Sequence, residues 1–175
     1  MKIHRACPFV FLLAVFGIFS ARPSRAADCA PLAINALDQG WYDASGLHDP
    51  GNLNYLCGEA PSLVSPVRNW FAFSIPASTQ QVVAASLRVF TAGIVTADAT
   101  ETFELRHVST PVGALRLGGF GLTNVWADLG EGASYGSRSF GSAEVNLFVT
   151  IPLNAAFLAN VQAAAGSSLA LGGTK

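Results

Sequence analysis

Positive charge is scarce in this chain and does not cluster. Lysine and arginine together supply 10 of the 175 residues, against 11 carboxylates, and charged residues make up only 12% of the chain. Beyond the first 27 residues the arginines stand singly, at Arg68, Arg88, Arg106, Arg116 and Arg138. Nucleic acids and anionic membrane surfaces are both bound through clusters of Lys and Arg. The composition therefore argues against both as partners.

Long apolar runs are also missing, except for one near the N-terminus. The run Pro8–Phe19 is shorter than the roughly 20 residues that a bilayer-spanning helix needs. A basic start precedes it, and small residues around Ala27 follow it. This arrangement predicts a signal peptide over residues 1–27, cleaved after Ala27. We expect residues 28–175 to form one domain that is secreted or held in the periplasm or cell envelope, with no membrane span after cleavage.

Cysteine is rare as well, and one of the three, Cys7, lies in the predicted signal peptide. In an oxidising compartment the remaining pair, Cys29 and Cys57, most simply forms one disulfide. Two alternatives stay open: both thiols are free, or Cys29 carries a lipid anchor. Asp28, directly before Cys29, does not fit the small or apolar residue of a lipid-attachment box. A disulfide would remove the thiolate that a cysteine nucleophile needs.

The three histidines give little support for catalysis. Without the signal peptide only His48 and His107 remain, and they do not have the spacing of zinc ligands. Residues 132–136 match the G-x-S-x-G motif of α/β-hydrolases, but no histidine follows the motif and residues 137–141, directly after it, show no helical pattern. Glycosidase chemistry would need two facing carboxylates, which the sequence cannot place. We therefore expect a protein that is not an enzyme.

What the chain does contain is short alternating apolar runs separated by Gly, Pro, Asn, Asp and Ser. A period of two is typical of strands with one buried and one solvated face. Strands are predicted over residues 33–42, 54–58, 69–75, 83–92, 102–108, 145–153 and 168–171. Asn154 and Gly166 are suited to cap and stop a helix over residues 155–165. The glycine-rich segment 118–141 is interpreted as hairpin loops and bulged strands. The pattern predicts an all-β fold, a jelly-roll-like antiparallel β-sandwich with one short C-terminal helix.

The best candidate for a site is the polar stretch from Trp41 to Glu59. The predicted ligand-binding residues are Trp41, Tyr42, Asp43, His48, Asp49, Asn52, Asn54 and, outside the stretch, Trp70. Aromatic faces with Asp and Asn suit a sugar ring and its hydroxyls. The carboxylates of Asp43, Asp49 and Glu59 suit a structural calcium ion, and no other cofactor is implied. A third interpretation needs no ligand, because Asp and Asn are common in turns.

A series of short motifs runs through the chain beyond the predicted signal peptide. They are Gly40-Trp41-Tyr42, Gly46-Leu47-His48, Asn52-Leu53-Asn54-Tyr55, Arg68-Asn69-Trp70-Phe71-Ala72-Phe73, Ala85-Ser86-Leu87-Arg88-Val89, Glu101-Thr102-Phe103-Glu104-Leu105, Ala127-Asp128-Leu129-Gly130 and Tyr135-Gly136-Ser137. In these motifs the chain resembles exported bacterial proteins that often carry a PEP-CTERM sorting tail. It is also distantly similar to disaggregatase-related domains, which are β-sandwiches of the carbohydrate-binding type.

The resemblance implies association with the envelope or with exopolysaccharide, and it brings no established activity. The sequence departs from the family in one respect, because the Val-Pro-Glu-Pro sorting tail is not found. Lys175 is then either a natural end, in a shortened member that is released, or a truncation before the tail.

Two functions remain from the sequence. The first is a non-catalytic β-sandwich that binds glycan or an extracellular matrix polymer. The alternative is a structural or adhesion protein of the envelope with no small ligand. Burial of Trp41, Trp70 and Tyr135 would favour the alternative, because it would leave none of these aromatic rings exposed as a platform. The sequence gives no oligomeric state.

Overall fold

The computed structural model of the protein describes residues 1–5, 31–78 and 80–175. Most of the predicted signal peptide, its cleavage position after Ala27, and both Cys7 and Cys29 lie outside these residues. Within them the chain is mostly antiparallel β-structure with a few short helices. The predicted all-β class with antiparallel pairing is therefore confirmed.

The described residues form two sheets and three short α-helices. The strands are β1 (Lys2–Arg5), β2 (Leu32–Ala33), β3 (Asp38–Tyr42), β4 (Arg68–Ser74), β5 (Val82–Thr91), β6 (Thr100–His107), β7 (Ser134–Gly141), β8 (Leu147–Leu153) and β9 (Ser168–Thr174). The helices are α1 (Val112–Leu115), α2 (Thr123–Glu131) and α3 (Ala155–Ala163), and a 3₁₀ turn covers Ser142–Glu144. Sheet A has the strand order β2-β1-β5-β8, sheet B has the order β3-β4-β9-β6-β7, and every pairing is antiparallel.

Two apolar clusters account for most of the buried side chains. The first draws residues from both sheets and from α3, and its fully buried members include Leu105, Ile151 and Phe157. The second lies on the other face of sheet B, where Leu115 of α1 and Leu129 of α2 pack with Trp70 of β4. Sheet B is therefore apolar on both faces. The helices α1 and α2 cover the face of sheet B that is turned away from the first cluster.

Strand β4 shows how the sequence produces this arrangement. Its alternation places Phe71 and Phe73 in the first cluster and Trp70 and Ala72 in the second. Five consecutive residues of β4 are buried as a result. A strand that is apolar on both sides is what a central position between two packed layers requires.

Most of the predicted strands form close to their predicted bounds, and β4, β5, β6, β8 and β9 confirm them. The predicted strand over residues 33–42 is shorter, because β3 begins only at Asp38. The predicted strand over residues 54–58 is wrong, since this segment makes a single isolated bridge between Gly58 and Val67. There the backbone carbonyl of Tyr55 accepts a hydrogen bond from the Asn69 side chain rather than from a neighbouring strand.

The predicted C-terminal helix is confirmed as α3, and the Asn154 side chain caps it by accepting hydrogen bonds from two backbone N–H groups at 3.0 and 3.2 Å. The interpretation of residues 118–141 as loops and bulged strands needs correction, because α2 lies inside this segment. Val125 and Leu129, one helical turn apart, give α2 a buried stripe. Gly130 permits close packing, since a Cβ there would lie 2.4 Å from the Arg68 guanidinium carbon.

The first residues of the chain take part in sheet A. Strand β1 pairs antiparallel with β5 on one side and with β2 on the other. Met1 is buried, its ammonium group donates to the carbonyl of Ile34 at 2.7 Å, and its own carbonyl accepts from the Ile34 N–H at 2.9 Å. Removal of residues 1–27 remains a prediction, and it would take this strand out of the sheet.

Among the described residues, no helix combines the length and the apolar character that crossing a membrane would require.

Candidate functional site

The polar stretch from Trp41 to Glu59 does not converge on one site. Trp41, Tyr42, Asp43 and His48 are buried, and Asn52 is half-buried. The side chains of Asp49, Asn54 and Glu59 are exposed. The structure thus divides the predicted ligand residues into a buried group and a surface group.

The buried carboxylate of Asp43 is occupied by the turn that follows it. Its Oδ1 accepts from the Ser45 N–H at 2.9 Å, the Ser45 hydroxyl at 2.6 Å and the Leu47 N–H at 3.0 Å, while Oδ2 accepts from the Val64 N–H at 3.2 Å. Burial acts to raise the pKa of Asp43, but these hydrogen bonds outweigh it and the pKa is lowered. Asp43 therefore anchors two loop segments to each other.

Asp49 and Asn52 each form a small turn with the residues that follow them. Asp49 Oδ1 accepts from the Gly51 N–H at 2.8 Å, and Asn52 Oδ1 accepts from the Asn54 N–H at 3.2 Å. In the part of the chain that the structure describes, no three His, Cys, Asp or Glu side chains come together as a metal site. The predicted calcium ligands Asp43, Asp49 and Glu59 are therefore not assembled here. The geometry agrees with the interpretation of these residues as turn formers.

The aromatic residues of the predicted site lie in the interior. The His48 ring stacks on Tyr42 with 4.6 Å between centroids and meets the edge of Trp70 at 5.9 Å. His48 Nδ1 donates to the carbonyl of Trp41 at 2.9 Å, and the Tyr42 hydroxyl donates to the carbonyl of Leu115 at 3.0 Å. Burial lowers the pKa of His48 and raises the pKa of Tyr42 to about 12. This cluster ties β3 and the following loop to the helical layer.

This placement corrects the hypothesis that Trp70 is an aromatic platform. Trp70 points away from Phe71 and Phe73, as the alternation predicts, but it points into the second cluster and is 1% exposed. Trp41 and Tyr135 are 5% and 0% exposed. None of the three rings is exposed enough to stack on a ligand in solvent: Trp70 is packed in the second cluster, Tyr135 in the first, and Trp41 is buried as well.

Cys57 carries a free thiol whose Sγ donates to the carbonyl of Gly173 at 3.7 Å. Burial raises the pKa of the Cys57 thiol to about 12, so almost no thiolate forms near neutral pH. The two histidines are engaged elsewhere, since His107 Nδ1 lies 2.7 Å from the Tyr135 hydroxyl and His48 bonds to Trp41. The predicted disulfide partner, Cys29, lies outside the described residues.

An exposed aromatic pair that the sequence reading missed lies on the outer face of sheet A. Phe90 of β5 and Phe148 of β8 are direct cross-strand partners with ring centroids 5.2 Å apart. They are 37% and 59% exposed. The guanidinium carbon of Arg88 lies 4.2 Å from the centre of the Phe148 ring, within the range of a cation–π contact. We call Arg88, Phe90 and Phe148 the aromatic patch.

The sequence carried a signal for this patch. The alternation that places Leu87 and Val89 inward also places Arg88 and Phe90 outward, and the alternation of β8 places Phe148 outward. A large aromatic side chain at an outward position of a strand is the informative exception to the usual polar outer face.

Polar groups lie beside the aromatic patch. Thr150, the cross-strand partner of Arg88, is exposed beside it, and the Tyr55 hydroxyl donates to the carbonyl of Phe90. A cavity elsewhere, lined by Ile34, Ile75 and other mostly apolar residues, has a volume of about 20 Å³, enough for about one water molecule. Because the patch residues are exposed and do not line this cavity, the patch suits a ligand lying on the surface better than a small molecule enclosed in a pocket.

A search of protein-family models and of curated proteins found no match to this chain.

Proposed function

We propose that this is an exported, non-catalytic protein that binds an extracellular polysaccharide through the aromatic patch on sheet A. The observation that carries the proposal is the exposed Phe90–Phe148 pair with Arg88 beside it. We further propose that the two sheets form a jelly-roll-like β-sandwich. The first apolar cluster contains residues from both sheets, which supports this arrangement.

The chemistry of the patch fits a sugar polymer. Aromatic ring faces are apolar and carry a partial negative charge, so they attract the C–H groups on the face of a pyranose ring. The Arg88 guanidinium offers several N–H donors for hydroxyl or carboxylate oxygens. Both rings lie on paired strands, and residues on strands hold their geometry better than residues on loops. The predicted signal peptide supports the same function, and so does the resemblance to exported proteins, which implies association with the envelope or exopolysaccharide.

The test is electrophoresis of the exported protein in native gels that contain neutral or acidic polysaccharides. We expect the wild-type protein to be retarded in at least one gel, and Phe90→Ala or Phe148→Ala to abolish most of the retardation. Phe120→Ala is the matched control, because Phe120 is 84% exposed and lies outside the patch. Calcium and EDTA should make no difference, since the Asp43 carboxylate is already occupied.

Two results would contradict the proposal. One is uniform migration of the folded wild-type protein in every gel. The other is unchanged retardation of Phe90→Ala and Phe148→Ala, which would place binding elsewhere on the molecule. Circular dichroism of each variant separates loss of binding from loss of fold.

A structural or adhesion role in the envelope, with no small ligand, is the second candidate. Burial of Trp41, Trp70 and Tyr135 favours it, because these rings contribute to packing rather than to a surface. Under this function Phe90 and Phe148 would only stabilise the β5–β8 pair, as exposed cross-strand aromatic residues commonly do. The same gels distinguish the two functions, since a purely structural protein would migrate uniformly.

A further inference from the structure

Sheet A is completed by the first residues of the chain. Strand β1 lies between β2 and β5, with Lys2 opposite Ser86 and His4 opposite Ala84. Strand β2 reaches the rest of the sheet only through β1. The position of β1 thus marks a slot in the sheet that accepts one antiparallel strand.

The slot lies in the segment that cleavage of the predicted signal peptide would remove. Strand β5 pairs with β8 only from Ala85 onward, so Val82–Ala84 have β1 as their one strand neighbour among the described residues. Loss of β1 leaves the backbone groups that Val83–Ser86 direct toward β1 without that partner, while the Val82 N–H still donates to the Gln162 side chain at 2.9 Å. Unpaired backbone groups at a sheet edge readily pair with another strand.

The freed edge lacks most of the usual protection against such pairing, although the β1–β5 register shifts where His4 and Arg5 oppose Ala84 and Val82. The segment Val82–Ser86 reads Val-Val-Ala-Ala-Ser, with no charged residue and no proline, and Val83 is 45% exposed. Soluble proteins commonly protect their edges with lysine, proline or inward-pointing charge. An uncharged, β-branched edge is suited to pair with an identical edge, because two copies of one strand can pair antiparallel about a twofold axis.

We infer that the mature protein is a dimer in which the Val82–Ser86 edges of two copies pair antiparallel and join the two A sheets. The inference rests on the proposed export and cleavage. In the simplest register the twofold axis passes beside Ala84, so that Ala84 faces its equivalent and Val82 faces Ser86 of the second copy. The second copy then supplies the strand that β1 supplies in the uncleaved chain.

The test uses the protein as it is exported, with its N-terminus determined by mass spectrometry. We expect cleavage before residue 31, and light scattering after size exclusion should give twice the monomer mass. Hydrogen exchange at Val82–Ser86 should be slow in the dimer and should accelerate when dilution dissociates it. A folded, cleaved protein that is monomeric at every concentration overturns the inference, and so does an exported chain that keeps residues 1–5.

A charge at the axis tests the register. Ala84→Lys places two ammonium groups opposite each other, and like charges on directly opposed residues destabilise a strand pair. We expect the dimer to dissociate at least tenfold more readily at low salt. Ser137→Lys is the control, because Ser137 is exposed on β7 in sheet B. An Ala84→Lys dimer as stable as that of the control overturns the inference. Retardation of the wild-type protein in the polysaccharide gels described above tests the proposed function separately.

Discussion

His48 is the titratable residue that the interior of the protein constrains most clearly. Its ring lies between Tyr42 and Trp70, and Nδ1 donates to a backbone carbonyl. Nε2 is buried and has no hydrogen-bond partner among the described residues. A proton added at Nε2 would place an uncompensated charge in the interior, which is costly. This is the physical cause of the lowered pKa of His48.

The stability of the protein should therefore depend on pH near the ordinary histidine pKa of 6.5. As pH falls through that value, the unfolded chain takes up a proton at His48 before the folded chain does, so the free energy of unfolding decreases. The contribution is fully present above the unfolded pKa and is lost as pH falls toward the lower pKa of the folded state. Urea unfolding at about pH 7.5 and about pH 5 measures it.

His48→Asn tests the assignment, because the Asn amide group can replace Nδ1 as the donor to the Trp41 carbonyl but does not titrate. We expect the variant to lose less stability than the wild type between the two pH values. His107→Asn is the control for removing a histidine, and it should keep the part of the pH dependence that belongs to His48. Equal pH dependence in His48→Asn and the wild type would show that another group is responsible.

At the scale of single elements, strand β4 and helix α2 stabilise each other by packing. Trp70 fills the space between sheet B and the helices, in a cluster with Val125 and Leu129 of α2. Trp70→Ala should lower the free energy of unfolding by about 3–5 kcal/mol, because it removes a large buried ring and leaves a cavity. Phe120→Ala is the control, and its exposed position limits the expected change to about 0.5 kcal/mol.

Urea denaturation of both variants gives the comparison. A Trp70→Ala change of less than about 1 kcal/mol would mean that the helical layer does not pack tightly on sheet B. A large change with retained polysaccharide binding would confirm that Trp70 contributes to stability and not to recognition. The aromatic patch on sheet A lies in a different sheet, so the two effects can be separated.

The elements differ in how well their sequence predicts them. β5 and β8 alternate cleanly because each has one face in the first cluster and one exposed face, and β4 is marked by an apolar run that is buried on both faces, so the bounds of all three could be predicted closely. Helix α2 could not, because Gly130 within it and the glycines on both sides of it suggest loops when only local sequence is considered. A Cβ at residue 130 would displace the Arg68 guanidinium, so Gly130 favours this tertiary contact. The strand predicted over residues 54–58 is wrong for a similar reason, because the backbone carbonyl of Tyr55 bonds to the Asn69 side chain of β4, which is also a tertiary contact.

At the scale of the whole molecule, the two sheets differ in what covers their outer faces. The outer side of β4 is apolar at Trp70 and Ala72, and helices pack on it. The outer positions of β5 and β8 mix polar residues with the aromatic patch, and the described helices leave the patch exposed. The sequence contained both patterns. It could not show that the polar groups of the loop before β4 would bond to one another and not to a ligand. One of the hydrogen bonds of Asp43 comes from Val64, which is far along the chain.

The proposed dimer would give the aromatic patch a further property. A twofold axis that relates antiparallel neighbours runs perpendicular to the sheet, so both outer faces would lie on the same side. From Ala84 to Phe90 the distance along β5 is about 20 Å at about 3.3 Å per residue, which places the two patches about 40 Å apart. One polysaccharide chain could then contact both patches, and the second contact would benefit from a high effective concentration.

Ala84→Lys should therefore weaken retardation in the polysaccharide gels although its patch is intact, whereas Ser137→Lys should not. The comparison is made at protein concentrations above and below the dimer dissociation constant. Above it the wild-type protein should bind more tightly than Ala84→Lys, and below it the two should converge. Equal retardation of a dimeric wild type and a monomeric Ala84→Lys would show that each patch binds independently, because bivalent attachment cannot occur without the joined sheet.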